Sequence, residues 1–507
     1  MPQAIALGDV NGDKLTDIVT ANFGSNTVGV LLGQAGGTFG AVTTYSVGAG
    51  STPQGVVLGD VNGDGRMDII TANTGSNTVG VLLGQALGFG PVTTYNAGAS
   101  SALIAVALGD VNGDKMLDIV TANSGSSTVG VLLGLAAGGF GPVTTFSTGM
   151  ASNPYAVALG DVNGDGQLDI VTANADVNTV GVLLGQAGGF GAVTQYPAGA
   201  GGTPQGVVLG DLNGDNVLDI VTANNYSNTI GVLFGQARGG FGSVKTYDTG
   251  ANTAPNGLAL GDINGDGWLD IVTANSSNTA GVLLAVAGVF SAPTQYATGA
   301  GSEPNGVALG DVNGDGLLDI ITANNGSSTA GVLLSQRVPA PTITSFTPTT
   351  GGPGTLITIT GTDFTGATAV RIGTFAVTTF TVVSASTLTV VVPAGTGTTT
   401  GRIAVVTPGG TAISATPFNV VSAALAGRAL PGLMLYPNPF HDRLTVALPT
   451  PGAAQVALRD LAGRLVLPLA SLPADQQLRL PAPLAQGVYL LEVQQGGVRA
   501  VRRVEKQ

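Results

Sequence analysis

The chain has no cysteine, one histidine and one tryptophan, and only 9% of its 507 residues are charged. Without cysteine there is neither a disulfide framework nor a thiolate nucleophile. Stability must then come from packed cores and bound ions. The lone His441 confines the commonest proton shuttle to one place near the C-terminus. No apolar run is long and uninterrupted enough to span a bilayer, and helical periodicity is hard to find anywhere. Met1-Pro2-Gln3-Ala4 has neither the basic start nor the apolar segment of a signal peptide. What the chain has instead is 81 Gly, with Val, Thr and Ala filling the segments between acidic loops. That composition suits strands and tight turns, so an all-β protein is expected.

The acidic loops recur seven times, opening at Asp9, Asp60, Asp110, Asp161, Asp211, Asp262 and Asp311. Their spacings of 51, 50, 51, 50, 51 and 49 residues are too regular for chance. Each offers side-chain oxygens at loop positions 1, 3, 5 and 9, always Asp, Asn, Asp, Asp, and a backbone carbonyl at position 7. In the first loop these are Asp9, Asn11, Asp13 and Asp17, with the carbonyl of Leu15. The second has Asp60, Asn62, Asp64, Arg66 and Asp68, the third Asp110, Asn112, Asp114, Met116 and Asp118. The fourth has Asp161, Asn163, Asp165, Gln167 and Asp169, the fifth Asp211, Asn213, Asp215, Val217 and Asp219. Asp262, Asn264, Asp266, Trp268 and Asp270 make the sixth; Asp311, Asn313, Asp315, Leu317 and Asp319 make the seventh. Hard cations take six to eight oxygens in a flexible cage, so up to seven Ca²⁺ ions are expected, ahead of Mg²⁺. The alternative is an Asx-rich turn that binds nothing. It does not account for three acids crowded into nine residues, which repel one another unless a cation lies between them.

Three Asp per loop account for 21 of the 30 acidic residues. Residues 1–338 hold 24 acids against 6 Lys and Arg, and seven divalent cations would bring that net of −18 to about −4. The acidity is ligand charge, and nucleic acid is excluded as a partner for such a surface.

One repeat is about fifty residues long. In the second copy Gly55–Gly59, Asp68–Asn73, Thr78–Leu83 and Phe89–Tyr95 read as four short strands, the last an edge strand that tolerates Pro91. Four antiparallel strands, seven times over, predict a seven-bladed β-propeller. The repeats resemble FG-GAP repeats, carried by Phe39-Gly40, Phe89-Gly90, Phe140-Gly141, Phe190-Gly191 and Phe241-Gly242; the sixth copy departs with Phe290-Ser291. That resemblance, to integrin α-type and bacterial VCBS-like surface propellers, implies calcium in the acidic loops.

Two departures matter. Loop position 6 is Gly in four copies and Asn216 in the fifth, but Lys14 in the first and Lys115 in the third. A bulky residue there is strained if φ is positive, and its ammonium stands near the cation, so sites one and three are expected to be the weakest. The seventh copy also stops after its third strand, Ala330–Leu334, and the first lacks a preceding edge strand. The expectation is that the chain starts late, with an edge strand and a signal peptide upstream.

From Pro339 the texture changes. Residues 339–421 alternate between turn signals and predict a small β-sandwich. Ile359-Thr360-Gly361-Thr362-Asp363-Phe364 and Pro408-Gly409-Gly410 resemble an IPT/TIG immunoglobulin-like domain. A small-residue linker is read over 422–432. Residues 433–507 carry Leu435-Tyr436-Pro437-Asn438-Pro439-Phe440, Asp460-Leu461-Ala462-Gly463-Arg464 and Gly487-Val488-Tyr489-Leu490-Leu491. They resemble the C-terminal sorting domain of type IX secretion cargo. This implies the type IX machinery as partner, removal of the tail after export, and a secreted or cell-surface location.

No Ser-centred elbow, thiol nucleophile or phosphate-cradling loop is visible, and outside the loops residues 1–338 offer only Asp176, Asp248 and Glu303 as acids. His441 reads as a surface residue. A binding or adhesion module, expected as a monomer, with glycans or surface proteins as ligands is the leading class; a polysaccharide lyase and a purely structural surface protein are the alternatives. In up-and-down blades the turns between strands 2 and 3 share a face with the blade-to-blade loops. Phe23, Tyr155, Asp176, Tyr226 and Glu303 are assigned there as candidate ligand contacts.

Overall fold

The structure is a computed structural model. It describes residues 1–98, 100–136, 138–236, 239–286, 288–336, 339–373, 375–393, 401–407, 409–420, 430, 432–448, 450–461, 464–473, 475–480 and 484–507. Apart from two 3-10 turns, Phe23–Ser25 and Ser124–Ser126, regular structure among them is all β. The chain divides into two compact units, Met1–Arg337 and Val338–Gln507.

The first unit is a series of antiparallel sheets, each laid down in simple meander order. Sheet 1 comprises Pro2–Gly8, Asp17–Asn22, Thr27–Leu31 and Thr43–Ser46. Five more four-stranded sheets follow, with first strands Pro53–Gly59, Leu103–Gly109, Pro154–Gly160, Pro204–Gly210 and Pro255–Gly261. Sheet 7 has three strands, Pro304–Gly310, Asp319–Asn324 and Thr329–Leu333. Second strands such as Asp68–Asn73 are buried along their whole length, which is why Ile69 and Ile70 sit side by side rather than alternating with polar residues. Each face of a sheet packs on a neighbouring sheet. Val79 and Val81 of sheet 2, for example, share a core with Ile119 and Leu132 of sheet 3.

The last sheet packs on the first. Ile18, Val312 and Ile321 form one core with Ile5, Leu7 and Phe39 around it. Thr16 Oγ1 donates to the carbonyl of Asp311 at 3.0 Å, and the amide of Asn305 donates to Gln3 Oε1.

The fourth strand is shorter than its sequence suggests. In sheet 2 it is Thr93–Asn96, and Phe89 belongs to a separate two-residue hairpin, Gly84–Gln85 with Gly88–Phe89. The reason is packing between sheets. Phe89 turns away to meet Tyr45 of sheet 1 edge-on, ring centroids 5.3 Å apart. The same pairing joins Tyr95 to Phe140, Phe146 to Phe190, Tyr196 to Phe241 and Tyr247 to Phe290.

The second unit holds two hydrophobic clusters. One gathers Phe346, Ile359, Phe364, Val390, Ile403 and Phe418 between a four-stranded and a five-stranded sheet. Strands Thr350–Gly351, Phe375–Val377, Phe380–Ser384 and Gly410–Val420 add to those expected from sequence. The other gathers Phe440, Leu444, Val456, Leu491 and Val504 between a three-stranded and a four-stranded sheet. There Asn438 accepts from Glu505 N–H, and Phe440 exchanges backbone bonds with Glu505 and Gln507. The Tyr-Pro-Asn-Pro-Phe segment thus pins the last strand. His441 is exposed, and its carbonyl accepts from Lys506. Pro408, Ala462, Gly463 and the expected linker 422–432, save Leu430 and Gly432, lie outside the described residues. No helix among the described residues is long and apolar enough to cross a membrane.

Candidate metal loops and ligand face

Each acidic loop joins the first strand of a sheet to the second and folds around its own carboxylates. Asp9 Oδ1 accepts from the N–H groups of Gly12 and Asp13, and Asp9 Oδ2 from Lys14, at 2.7–3.1 Å. Asn11 Oδ1 accepts from Asp13 N–H, and Asp13 Oδ1 from Leu15 N–H. The innermost acid, Asp17, is fully buried; its two oxygens accept from Val10 N–H and from Gly33 N–H. All seven loops repeat this arrangement, as Asp68, Asp219 and Asp319 illustrate. The bond to Gly33 also shows why the loop and the connection between strands 3 and 4 share one end of the sheet.

The residue at position 6 has positive φ throughout: 70° at Lys14, 72° at Lys115, 62° at Asn216 and 82–88° at the four glycines. Asp9 Oδ2 needs the N–H of position 6, and only a left-handed residue points it inward. Lys14 and Lys115 therefore carry the strain that the sequence predicted.

Burial pushes Asp17, Asp68, Asp118, Asp169 and Asp319 above the usual carboxylate range, and carries Asp219 and Asp270 to about 6. Two backbone N–H bonds oppose the rise in each case; the other two acids of the loop add to it. At the loop mouth the balance reverses. Burial, the largest single influence, would raise Asp110, Asp161 and Asp311, but several backbone N–H groups together outweigh it and hold them below their ordinary value.

Chemically the loop fits a hard cation, since every donor it offers is oxygen. A carboxylate has about four lone-pair sites. Loop bonds engage three on Asp9 and two each on Asp13 and Asp17, leaving some of each to offer. The side chains do not themselves gather into a cage: among the described residues no three acidic or imidazole groups stand together as a metal-holding cluster. In six of the seven loops the Asn amide instead donates to the position-5 Asp, as Asn11 does to Asp13 at 2.9 Å.

The opposite end of the sheets carries the turns between strands 2 and 3 and the sheet-to-sheet loops. Asn26 Oδ1 accepts from Thr52 N–H there, tying the turn of one sheet to the entry of the next. Tyr226 is 80% exposed at such a turn, and Phe23 is half-buried in another. Exposed Asp176 accepts from Asn153, and exposed Glu303 anchors its backbone on Asn278. Tyr155 is not in a loop. It lies within the first strand of sheet 4, where the register with the second strand shifts between Pro154 and Ala156. No hydrogen bond or ring contact joins any two of these five among the described residues.

Sequence comparison matches an FG-GAP-like repeat family over residues 9–71, 110–172, 161–222, 211–273 and 262–322, and an FG-GAP repeat over 52–101. An IPT/TIG domain is matched over 341–420 and a secretion system C-terminal sorting domain over 434–507. No curated protein matches the sequence. Among solved structures, BBS1N in complex with ARL6DN is similar at 10% identity and TM-score 0.47, over 66% of this chain and 93% of that one. The Tc holotoxin pore of Photorhabdus luminescens is similar at 19% identity and TM-score 0.34, over 64% of this chain and 17% of that one.

Proposed function

On the premise that this chain belongs to the FG-GAP-like repeat family, we propose that residues 1–338 form a seven-bladed, calcium-loaded propeller serving outside the cell as a binding module. The type IX sorting domain makes the protein a secreted or cell-surface one. Glycans are the proposed ligand class. Closure of the ring is supported by the Thr16–Asp311 bond and by the core that Ile18 shares with Ile321.

The observation that carries the calcium reading is the buried Asp at position 9 of every loop. Asp17 and its six counterparts are fully buried, with two further acids of the loop raising their pKa and, among the described residues, no Lys or Arg paired to them. A buried carboxylate among like charges is costly unless a cation compensates it. Seven repetitions make that cost a designed feature of the fold. Binding, not catalysis, is the proposed activity, because Asp176, Asp248 and Glu303 are exposed and scattered over different sheets.

The test is calorimetry on the chelator-stripped full chain. Uptake of up to seven Ca²⁺, with Kd values of about 10⁻⁴–10⁻³ M, is expected for an extracellular module. A chain that takes up no calcium would refute the reading.

A further inference from the structure

Every sheet of the first unit has an irregularity at one place. In sheet 1 Pro2 faces Asn22 and Ala4 faces Ala21, so Gln3 is an extra residue that bulges out of the ladder. The same shift makes bulges of Gln54, Tyr155, Gln205, Asn256 and Asn305, and of Ile104 in sheet 3. A β-bulge re-aims one side chain and recurs where strands serve a site. Here it re-aims one side chain per sheet, and five of the seven are carboxamides.

Three of these side chains reach one another across sheets. The Asn256 amide donates to Asn305 Oδ1 at 2.9 Å, and the Asn305 amide donates to Gln3 Oε1. Asn225 and Ser276, in the adjacent turns, hold Asn256 at 2.6 and 2.8 Å. The strands themselves lie close. A Cβ placed on Gly257 would stand 2.7 Å from the Asn305 carbonyl, and one on Gly306 3.2 Å from that of Gln3. Gln54 and Gln205 differ: both are half-buried, and neither side chain makes a hydrogen bond among the described residues.

We propose that the bulged side chains form a ring that binds the terminal residue of a neutral glycan. The proposal rests on the reading of residues 1–338 as a closed, glycan-binding propeller. The chemistry selects the ligand class. A carboxamide presents two donors and one acceptor without charge, which suits paired sugar hydroxyls. None of the seven side chains is ionised, so the ring brings no cation to pair with a phosphate or an acidic sugar. Tyr155 supplies a flat face for the C–H side of a pyranose. Asn256, Asn305 and Gln3 are engaged with one another and set the frame; Gln54, Gln205 and Tyr155 are free to meet the sugar. A purely structural belt would be expected to pair all its amides.

The experiment uses the full, calcium-loaded chain and the methyl glycosides of glucose, galactose, mannose and N-acetylglucosamine, with binding read by saturation-transfer NMR and calorimetry. At least one should bind. The double variant Q54A/Q205A should weaken that binding about tenfold or more at unchanged melting temperature, because two uncharged hydrogen-bonding groups are lost. Tyr155→Phe should bind nearly as well as the parent, and Tyr155→Ala should not. Binding that persists in Q54A/Q205A overturns the ring while leaving a glycan-binding propeller standing. Failure of all four sugars also overturns it, and calcium uptake by the chelator-stripped chain then tells whether the propeller reading has fallen with it.

Discussion

Trp268 lies over Gly214: a Cβ built on that glycine would meet the indole ring at 3.2 Å. The chain's single tryptophan, at position 7 of the sixth loop, thus rests on the bend of the fifth. Indole emission should therefore follow occupancy of these two loops. Calcium added to the stripped chain should shift it, and Asp266→Asn should move the midpoint to higher calcium. An emission spectrum indifferent to calcium would count against both loops.

Lys115→Gly should stabilise the third loop. At a φ of 72° a side chain costs about 1 kcal/mol relative to glycine. The substitution also removes an ammonium from the loop mouth. Denaturant unfolding should show the gain without calcium, and calorimetry a tighter third site with it. A variant no more stable than the parent removes the strain argument.

Acid should stabilise the calcium-free chain before it harms it. The folded-state values of Asp219 and Asp270 are raised to about 6 from 3.8, so the fold holds these protons more tightly than the unfolded chain does. Their contribution is fully present below about pH 4 and is lost as pH rises through 6, of order 3 kcal/mol for each group. The depressed acids Asp110, Asp161 and Asp311 act the other way, but only below pH 4. Urea midpoints of stripped protein should be higher at pH 4.5 than at pH 7, and calcium should stabilise more at pH 7 than at pH 5. Equal midpoints would refute this.

In the sorting domain, Glu492 is buried between Arg499, at 2.6 Å, and Arg459, at 3.8 Å. Burial would raise its carboxyl, but Gln494 and the two guanidinium groups outweigh it and lower the value. Glu492→Leu should cost less than Glu492→Ala, because a leucine restores packing in place of a buried ion pair. Thermal unfolding of the two variants decides between the charge and the volume.

The sequence disclosed what is local. Second strands such as Asp68–Asn73 and the acidic loops carry their pattern within a single repeat, so composition and spacing locate them. The contacts among the bulged side chains and the Tyr45–Phe89 pair join residues of different repeats, and nothing in one repeat alone announces them. From sequence the fourth strand reads too long for the same reason: Phe89 looks like a strand residue until the ring it touches on another sheet is known. Tyr155 reads as a loop residue from sequence, whereas the strand already begins at Pro154 and Tyr155 is the bulged residue within it.

The aromatic pairs have an implication for how the molecule comes apart. Five ring contacts run in succession from Tyr45–Phe89 to Tyr247–Phe290 and stitch sheets 1 to 6 into a chain of stapled plates. Each staple is worth about 0.5–1.5 kcal/mol beyond the area it covers. Among the described residues neither side of sheet 7 has one: Tyr296 of sheet 6 is 47% exposed, and Phe39, in the hairpin that follows the third strand of sheet 1, packs on the core of Ile18, Val312 and Ile321 without a ring partner. A tug on the C-terminal end of residues 1–338 is therefore met first by the one unstapled plate. Sheet 7 should let go as a mechanical fuse, absorbing force while the six sheets behind it stay assembled.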